Sequence, residues 1–248
     1  MIGEQRVLIV LPVRLGSTRL PQKAILSETG MPLVVHAAQR AAQSTHVDQV
    51  VIAGDHELIE EAVKPFRMTY VNTGDHHTSG SSRCAEVLES LDADIVVNVQ
   101  GDEPEVSPSH IDAVIESMAD PSVECATLAC PLDPDDLHNP NVVKVARSFD
   151  GRALYFSRSP IPFDRDGTGC MHWRHVGLYA YRPQILREFC QWAQSPLEKI
   201  ERLEQLRLLE HGISIRVVTH GEPSPPGVDT AEQYQAFVER WRKENIEC

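Results

Sequence analysis

The 248-residue sequence has little basic charge, no CxxC pair among its cysteines and no apolar run near its start long enough to cross a bilayer. Each lack excludes something. The stretch VLIVLPV (7–13) is about seven residues between Arg6 and Arg14, too short for a spanning helix or for a signal h-region with its cleavage site. A cytoplasmic protein without membrane contact is expected. Six scattered cysteines, in a chain too large to need staples, read as free thiols. The 23 Lys+Arg against 36 Asp+Glu leave a net charge of −13, which repels nucleic-acid phosphates, so no polynucleotide partner is expected. Neither GxxxxGK[ST] nor HExxH occurs, and there is no repeat or low-complexity tract. An anionic small substrate must therefore be met where the few basic residues cluster.

Short apolar runs recur: VLIVLPV (7–13), QVVIAG (49–54), DIVVNVQ (94–100), CATLAC (125–130), VVKVA (142–146), HVGLYAY (175–181) and ISIRVVT (213–219). Runs without polar alternation suit strands buried on both faces of a parallel sheet. Helical spacing fills 32–43, 57–66, 82–91 and 110–119, which predicts a doubly wound α/β sheet over the first half. From about 131 to 181 strand-like segments broken by Asn139-Pro140, Asp150-Gly151 and PIPFDRDGTG predict a strand-rich insertion packed beside that sheet. One helix is predicted at 196–211, stopped by Gly212, then a strand, a proline-rich loop and a closing helix over 230–241. The length accommodates one domain, 1–248.

Several stretches carry chemistry. After the first strand comes Arg14-Leu15-Gly16-Ser17-Thr18-Arg19-Leu20-Pro21-Gln22-Lys23, three cations and two hydroxyls where open α/β sheets bind ligands. Backbone N–H groups near Gly16 can approach an anion while Arg14 and Lys23 neutralise a polyphosphate; the alternative is an exposed basic turn. The strand VVNVQ ends in Gly101-Asp102-Glu103-Pro104, carboxylates suited to Mg²⁺ or simply an acidic turn. Ser79, Gly80 and Arg83 lie in DHHTSGSSR, a place for a base or ribose, though a Ser-rich N-cap explains the same letters. His76 and His77 there lack the partners of a zinc set. Arg158 beside Tyr155-Phe156 and His175 near Tyr179 offer a cation or imidazole next to aromatics, fit for a sugar carboxylate or for pairing with an acid. Glu204-Gln205 reads equally as a solvated helix face.

In order, VLPVRLGSTRLPQK, DHHTSGSSRCAEV, IVVNVQGDEP, NPNVVKV, ALYFSRSPIPFDRD, RHVGLYAYR, SPLEKIERLEQLRLLEHG and PGVDTAEQ resemble the successive motifs of the 3-deoxy-manno-octulosonate cytidylyltransferase family, the CMP-KDO synthetases, over about residues 7 to 235. The resemblance implies a Rossmann-like nucleotidyltransferase fold and a cytoplasmic homodimer formed through the inserted region. It implies transfer of CMP from CTP to KDO, for lipopolysaccharide, with Mg²⁺ as cofactor. By position it implies CTP contacts from Arg14, Ser17, Lys23, Ser79, Gly80, Arg83 and Gln100, with Lys23, Arg14 and Asp102 catalytic. Asp102 and Asp229 would bind the metal, and Arg158, His175, Tyr179, Glu204 and Gln205 the sugar acid. A different acidic sugar, such as an 8-substituted KDO or a sialic acid, and an inactive regulatory homologue are the alternatives.

Four departures from the family pattern stand out. Gln22 replaces a usual Gly, which predicts a loop less free to take positive φ. Ser82 replaces an acid in HxSGTDR. The segment between Asp166 and Arg174 is short, which bears on the dimer or a lid. Ser159 replaces the Ala of YFSRA and would adapt the pocket if it faces the sugar.

Overall fold

The structure is a computed structural model that describes residues 2–3 and 5–246. Its strands are β1 (Val7–Pro12), β2 (Gln49–Gly54), β3 (Thr69–Asn72), β4 (Ile95–Asn98), β5 (Cys125–Pro131), β6 (Lys144–Arg147), β7 (Ala153–Ser157), β8 (Trp173–Tyr181) and β9 (Ile215–Thr219). The helices are α1 (Leu33–Ala41), α2 (Glu57–Val63), α3 (Gly80–Val87), α4 (Pro108–Ser117), α5 (Pro183–Gln191), α6 (Pro196–Glu201), α7 (Gln205–Glu210) and α8 (Ala231–Ile246).

The strands form one sheet in the order β3-β2-β1-β4-β8-β5-β9, with β6 and β7 attached beside β8. The half β3-β2-β1-β4 is parallel, and the continuous apolar runs explain why: in β1, Val7 to Leu11 are all buried, as a strand covered on both faces requires. One face packs Ile9, Leu11, Ile52 and Val97 against α1 and α4. The other packs Leu8, Val10 and Val96 against α3, α5 and α7. A smaller cluster of Leu33, Tyr234, Phe237 and Val238 seats α8.

Two expectations are corrected. The stretch 131–181 does not lie wholly beside the main sheet, because its last strand, β8, runs antiparallel between β4 and β5 at the sheet's centre. A bulge at Gly177 and Leu178 faces Thr127, whose hydroxyl donates to the Leu178 carbonyl at 2.9 Å. The helix predicted at 196–211 is two helices, because Arg202 takes the left-handed region at φ 52. Gln22 also departs from expectation: its backbone sits at φ 54 despite its side chain.

Cys84, Cys125, Cys130, Cys170 and Cys190 are free, and Cys248 lies outside the described residues. Among the described residues, no helix is long and apolar enough to cross a membrane.

Candidate active site

The C-terminal ends of β1 and β4 open into a cavity of about 290 Å³ lined by Arg14, Ser17, Arg19, Lys23, Ser79, Gly80, Arg83, Gln100, Asp102 and Asp229. Its shape depends on two glycines. A Cβ on Gly101 would sit 2.3 Å from Val13 Cγ1 and one on Gly80 would sit 2.9 Å from Pro12 Cγ, so the loop after β4 and the start of α3 close onto β1 only without side chains. Ser79 caps α3, its Oγ accepting from the Ser82 N–H at 3.2 Å, and that helix start faces the cavity.

The cations are held in different ways. Arg14 and Arg19 are exposed at the rim. Arg83 is buried and already committed, donating to Thr73 Oγ1 at 2.5 Å, the Gly74 carbonyl at 3.1 Å and Asp55 Oδ2 at 3.3 Å. Asp55 also accepts the Leu15 N–H at 3.0 Å, so Arg83 braces the basic loop from behind. Lys23 Nζ bridges Asp102 Oδ2 at 2.5 Å and Asp229 Oδ1 at 2.9 Å. Burial works against the Lys23 charge, yet the two carboxylates outweigh it and raise the ammonium above its usual range. For Asp229, burial opposes ionisation, but Lys23 and Arg19 hold the carboxyl below its usual value. Asp229 is not the cap of α8. Thr230 and Gln233 fill that role reciprocally: Gln233 N–H donates to Thr230 Oγ1 at 3.3 Å and Gln233 Oε1 accepts from the Thr230 N–H at 3.0 Å.

Across Gly80 and Gln100, which line both spaces, lies a second cavity of about 240 Å³ bounded by His175, Tyr179, Glu204 and Gln205. The pairing of Asn98 with Tyr179 sets this neighbourhood. His175 Nε2 lies 2.9 Å from the Tyr179 hydroxyl and 3.1 Å from Thr127 Oγ1. Burial, with Arg174 adding to it, drives His175 down to about 3, so it is neutral at physiological pH. Burial raises the Tyr179 hydroxyl well above its usual value, so it stays protonated. Glu204 accepts from Ser81 Oγ at 2.9 Å. Gln205 Nε2 is buried without a partner, an unmet donor that calls for an explanation.

Arg158 is not among the residues lining either cavity. Its guanidinium donates to the carbonyls of Glu201 at 2.8 Å, Pro140 at 2.8 Å and Arg202 at 3.3 Å, which fixes the link between α6 and α7 that presents Glu204. Ser159 is exposed and lines neither cavity. His77 sits between Ser82 Oγ at 3.0 Å and the Glu86 carboxylate, so the serine in place of an acid serves as a link in the loop's bracing. Residues that sequence reasoning left out are Ser81, next to Gly80, Asn98, two positions before Gln100, and Asp55, which carried no signal.

The profile of the family described as Cytidylyltransferase matches residues 8–215. The 3-deoxy-manno-octulosonate cytidylyltransferase of Acidobacterium capsulatum is 46% identical over 231 residues, covering 93% of this chain and 94% of that protein. The chain belongs to the 3-deoxy-manno-octulosonate cytidylyltransferase family. Another family member, from Chlorobium chlorochromatii, is 45% identical over 234 residues, covering 92% of this chain and 94% of its own. A solved CMP:2-keto-3-deoxy-manno-octonic acid synthetase complexed with CTP has a TM-score of 0.93 at 38% identity, covering 96% of this chain and 99% of that one. Beyond the family, a 4-diphosphocytidyl-2C-methyl-D-erythritol synthase from Anaerococcus prevotii, at 13% identity and TM-score 0.63, shares the fold alone.

Proposed function

We propose that the chain joins CMP from CTP to KDO, releasing pyrophosphate, and so supplies activated sugar for lipopolysaccharide. The observation that carries this reading is the pair of cavities sharing Gly80 and Gln100, one ringed by Arg14, Arg19 and Lys23 and the other by the hydrogen-bonding side chains of His175, Tyr179, Glu204 and Gln205. A triphosphate fits the first and a hydroxyl-rich sugar the second, with the reacting atoms meeting at the shared wall.

The anomeric 2-hydroxyl of the sugar attacks the α-phosphorus and gives up its proton to solvent; the new P–O bond forms as the bond to the β-phosphate breaks and pyrophosphate leaves in line. Arg14 and Lys23 offset the charge that gathers on pyrophosphate, and the Ser17 hydroxyl and the N-terminus of α3 add donors. Gln100 and the 75–83 loop hold cytidine. His175, Tyr179, Glu204 and Gln205 orient the sugar so that the two reactants are held as one unit. Asp102 and Asp229 fit Mg²⁺, because their anionic oxygens already share one cation, the Lys23 ammonium. When bound there, Mg²⁺ would neutralise phosphate charge and acidify a coordinated hydroxyl.

The same reading places the chain in the cytoplasm, where CTP is made, as a homodimer through the strand-rich region. Phe149, Leu154, Phe163 and Met171 there are exposed, Phe163 at 83%, which supports a covered apolar face. Pyrophosphate release with CTP and a panel of sugar acids tests the function. KDO should be the preferred acceptor; preference for a sialic acid or an 8-substituted KDO would reassign the sugar, and no release with any would leave a nucleotide-binding protein without turnover.

A further inference from the structure

His110 stands in the first turn of α4, only 2% exposed, and its Nε2 is buried with no hydrogen-bond partner. A buried orphan nitrogen in a folded chain calls for an explanation. Beyond the end of β9, His220 is anchored by its own N–H, which donates to the Ala129 carbonyl at 3.0 Å, and its ring meets that of His110 edge to face at 4.5 Å between centroids. Two residues on, the Glu222 N–H donates to His220 Nδ1 at 3.3 Å, which leaves Nε2 as the free nitrogen of that ring. One ligand atom from each of His110, His220 and Glu222 lies within 4.8 Å of the other two.

We propose that His110, His220 and Glu222 form a Zn²⁺ site separate from the Asp102 and Asp229 pair. Two imidazoles and a carboxylate are a zinc donor set, whereas the all-oxygen pair in the cleft suits a hard ion. Zinc bonds of about 2 Å set tetrahedral ligand atoms about 3.3 Å apart, so the three atoms must draw together by up to about 1.5 Å, and Glu222 is exposed and able to move. The ion would tie the loop that runs from His220 to Asp229 onto α4, the helix that follows the loop bearing Asp102.

The test is Zn²⁺ titration of chelator-stripped protein in buffer with constant Mg²⁺, read by competition with a chromophoric chelator and by thermal denaturation. One equivalent should bind and raise Tm. His220→Ala and Glu222→Ala, both away from the core, should each weaken binding by at least about tenfold, while His76→Ala leaves it unchanged. Co²⁺ in place of Zn²⁺ should give visible bands without thiolate charge transfer. Absence of stoichiometric uptake, equal affinity in the His220 and Glu222 variants, loss of binding in His76→Ala, or a thiolate band would each overturn the site.

Discussion

The Lys23 ammonium lies 2.9 Å from Asp229 Oδ1 although 206 positions separate the two residues. With Thr230 capping α8, the Asp229 side chain serves the cleft and not the helix. Asp229→Asn should therefore keep the fold, with little change in Tm, while turnover falls by roughly a hundredfold, the scale of a lost electrostatic contact in the transition state. Asp102→Asn should do the same. Thermal melts and steady-state turnover on the two variants check this, and near-parental activity in Asp229→Asn would remove that residue from the reacting end.

His175→Ala and Gln205→Ala should weaken sugar-acid binding and leave CTP binding intact, since both face the second cavity. Isothermal titration with each substrate separates the two effects. Lost CTP affinity with retained sugar affinity would put these residues in the wrong half of the cleft.

Arg158→Ala should behave differently from those two. Its guanidinium donates to three backbone carbonyls, so its removal should cost about 1–2 kcal/mol of stability and loosen the placement of Glu204. Chemical denaturation measures the loss; an unchanged midpoint with selective loss of sugar binding would show that Arg158 reaches the substrate directly.

Gln22→Gly should raise Tm. The left-handed backbone at φ 54 costs an L-residue about 1–2 kcal/mol, more than the roughly 0.5–1 kcal/mol of added chain entropy that glycine brings. A calorimetric scan showing a lower Tm would mean that the Gln22 side chain makes a contribution larger than the strain.

Glu103, partly buried beside Asp102, has its carboxyl raised from 4.5 to about 7, first by burial and then by the Asp102 charge, with Arg174 opposing. A raised carboxyl disfavours the charged form in the folded state, so this group costs nothing at acid pH and its cost grows as pH climbs from 4.5 to about 7. Glu103→Gln, which is neutral throughout, should match the parent near pH 4 and exceed it in Tm at pH 8. Equal Tm values at pH 8 would show that Glu103 ionises without penalty.

Much of this was legible because buried parallel strands are written as unbroken apolar runs and because the cations of an acidic chain cluster after β1. The direction of a strand is not written in its letters: HVGLYAY reads the same whether it lies beside the sheet or antiparallel through its middle. β3 escaped notice because its four residues are only partly buried and carry no apolar run. The left-handed break at Arg202 occurs without Gly or Pro to mark it. α5 did have a signal, Pro183 at its start and Ile185, Leu186 and Phe189 on its buried side. Arg158 stood beside aromatics in a convincing motif, but the carbonyls that capture it come from residues 140, 201 and 202, which only the fold brings near.

The central place of β8 has a consequence for biosynthesis. β4 and β5 leave the ribosome dozens of residues before Trp173–Tyr181, and each has an edge that only β8 covers. Until then those edges of β4 and β5 stay unpaired, the feature by which nascent β structure joins other chains. The strand that closes those two edges also brings His175 and Tyr179 to the second cavity, so joining the halves of the sheet and starting that cavity are one event, which β9 and the Glu204-Gln205 pair complete later.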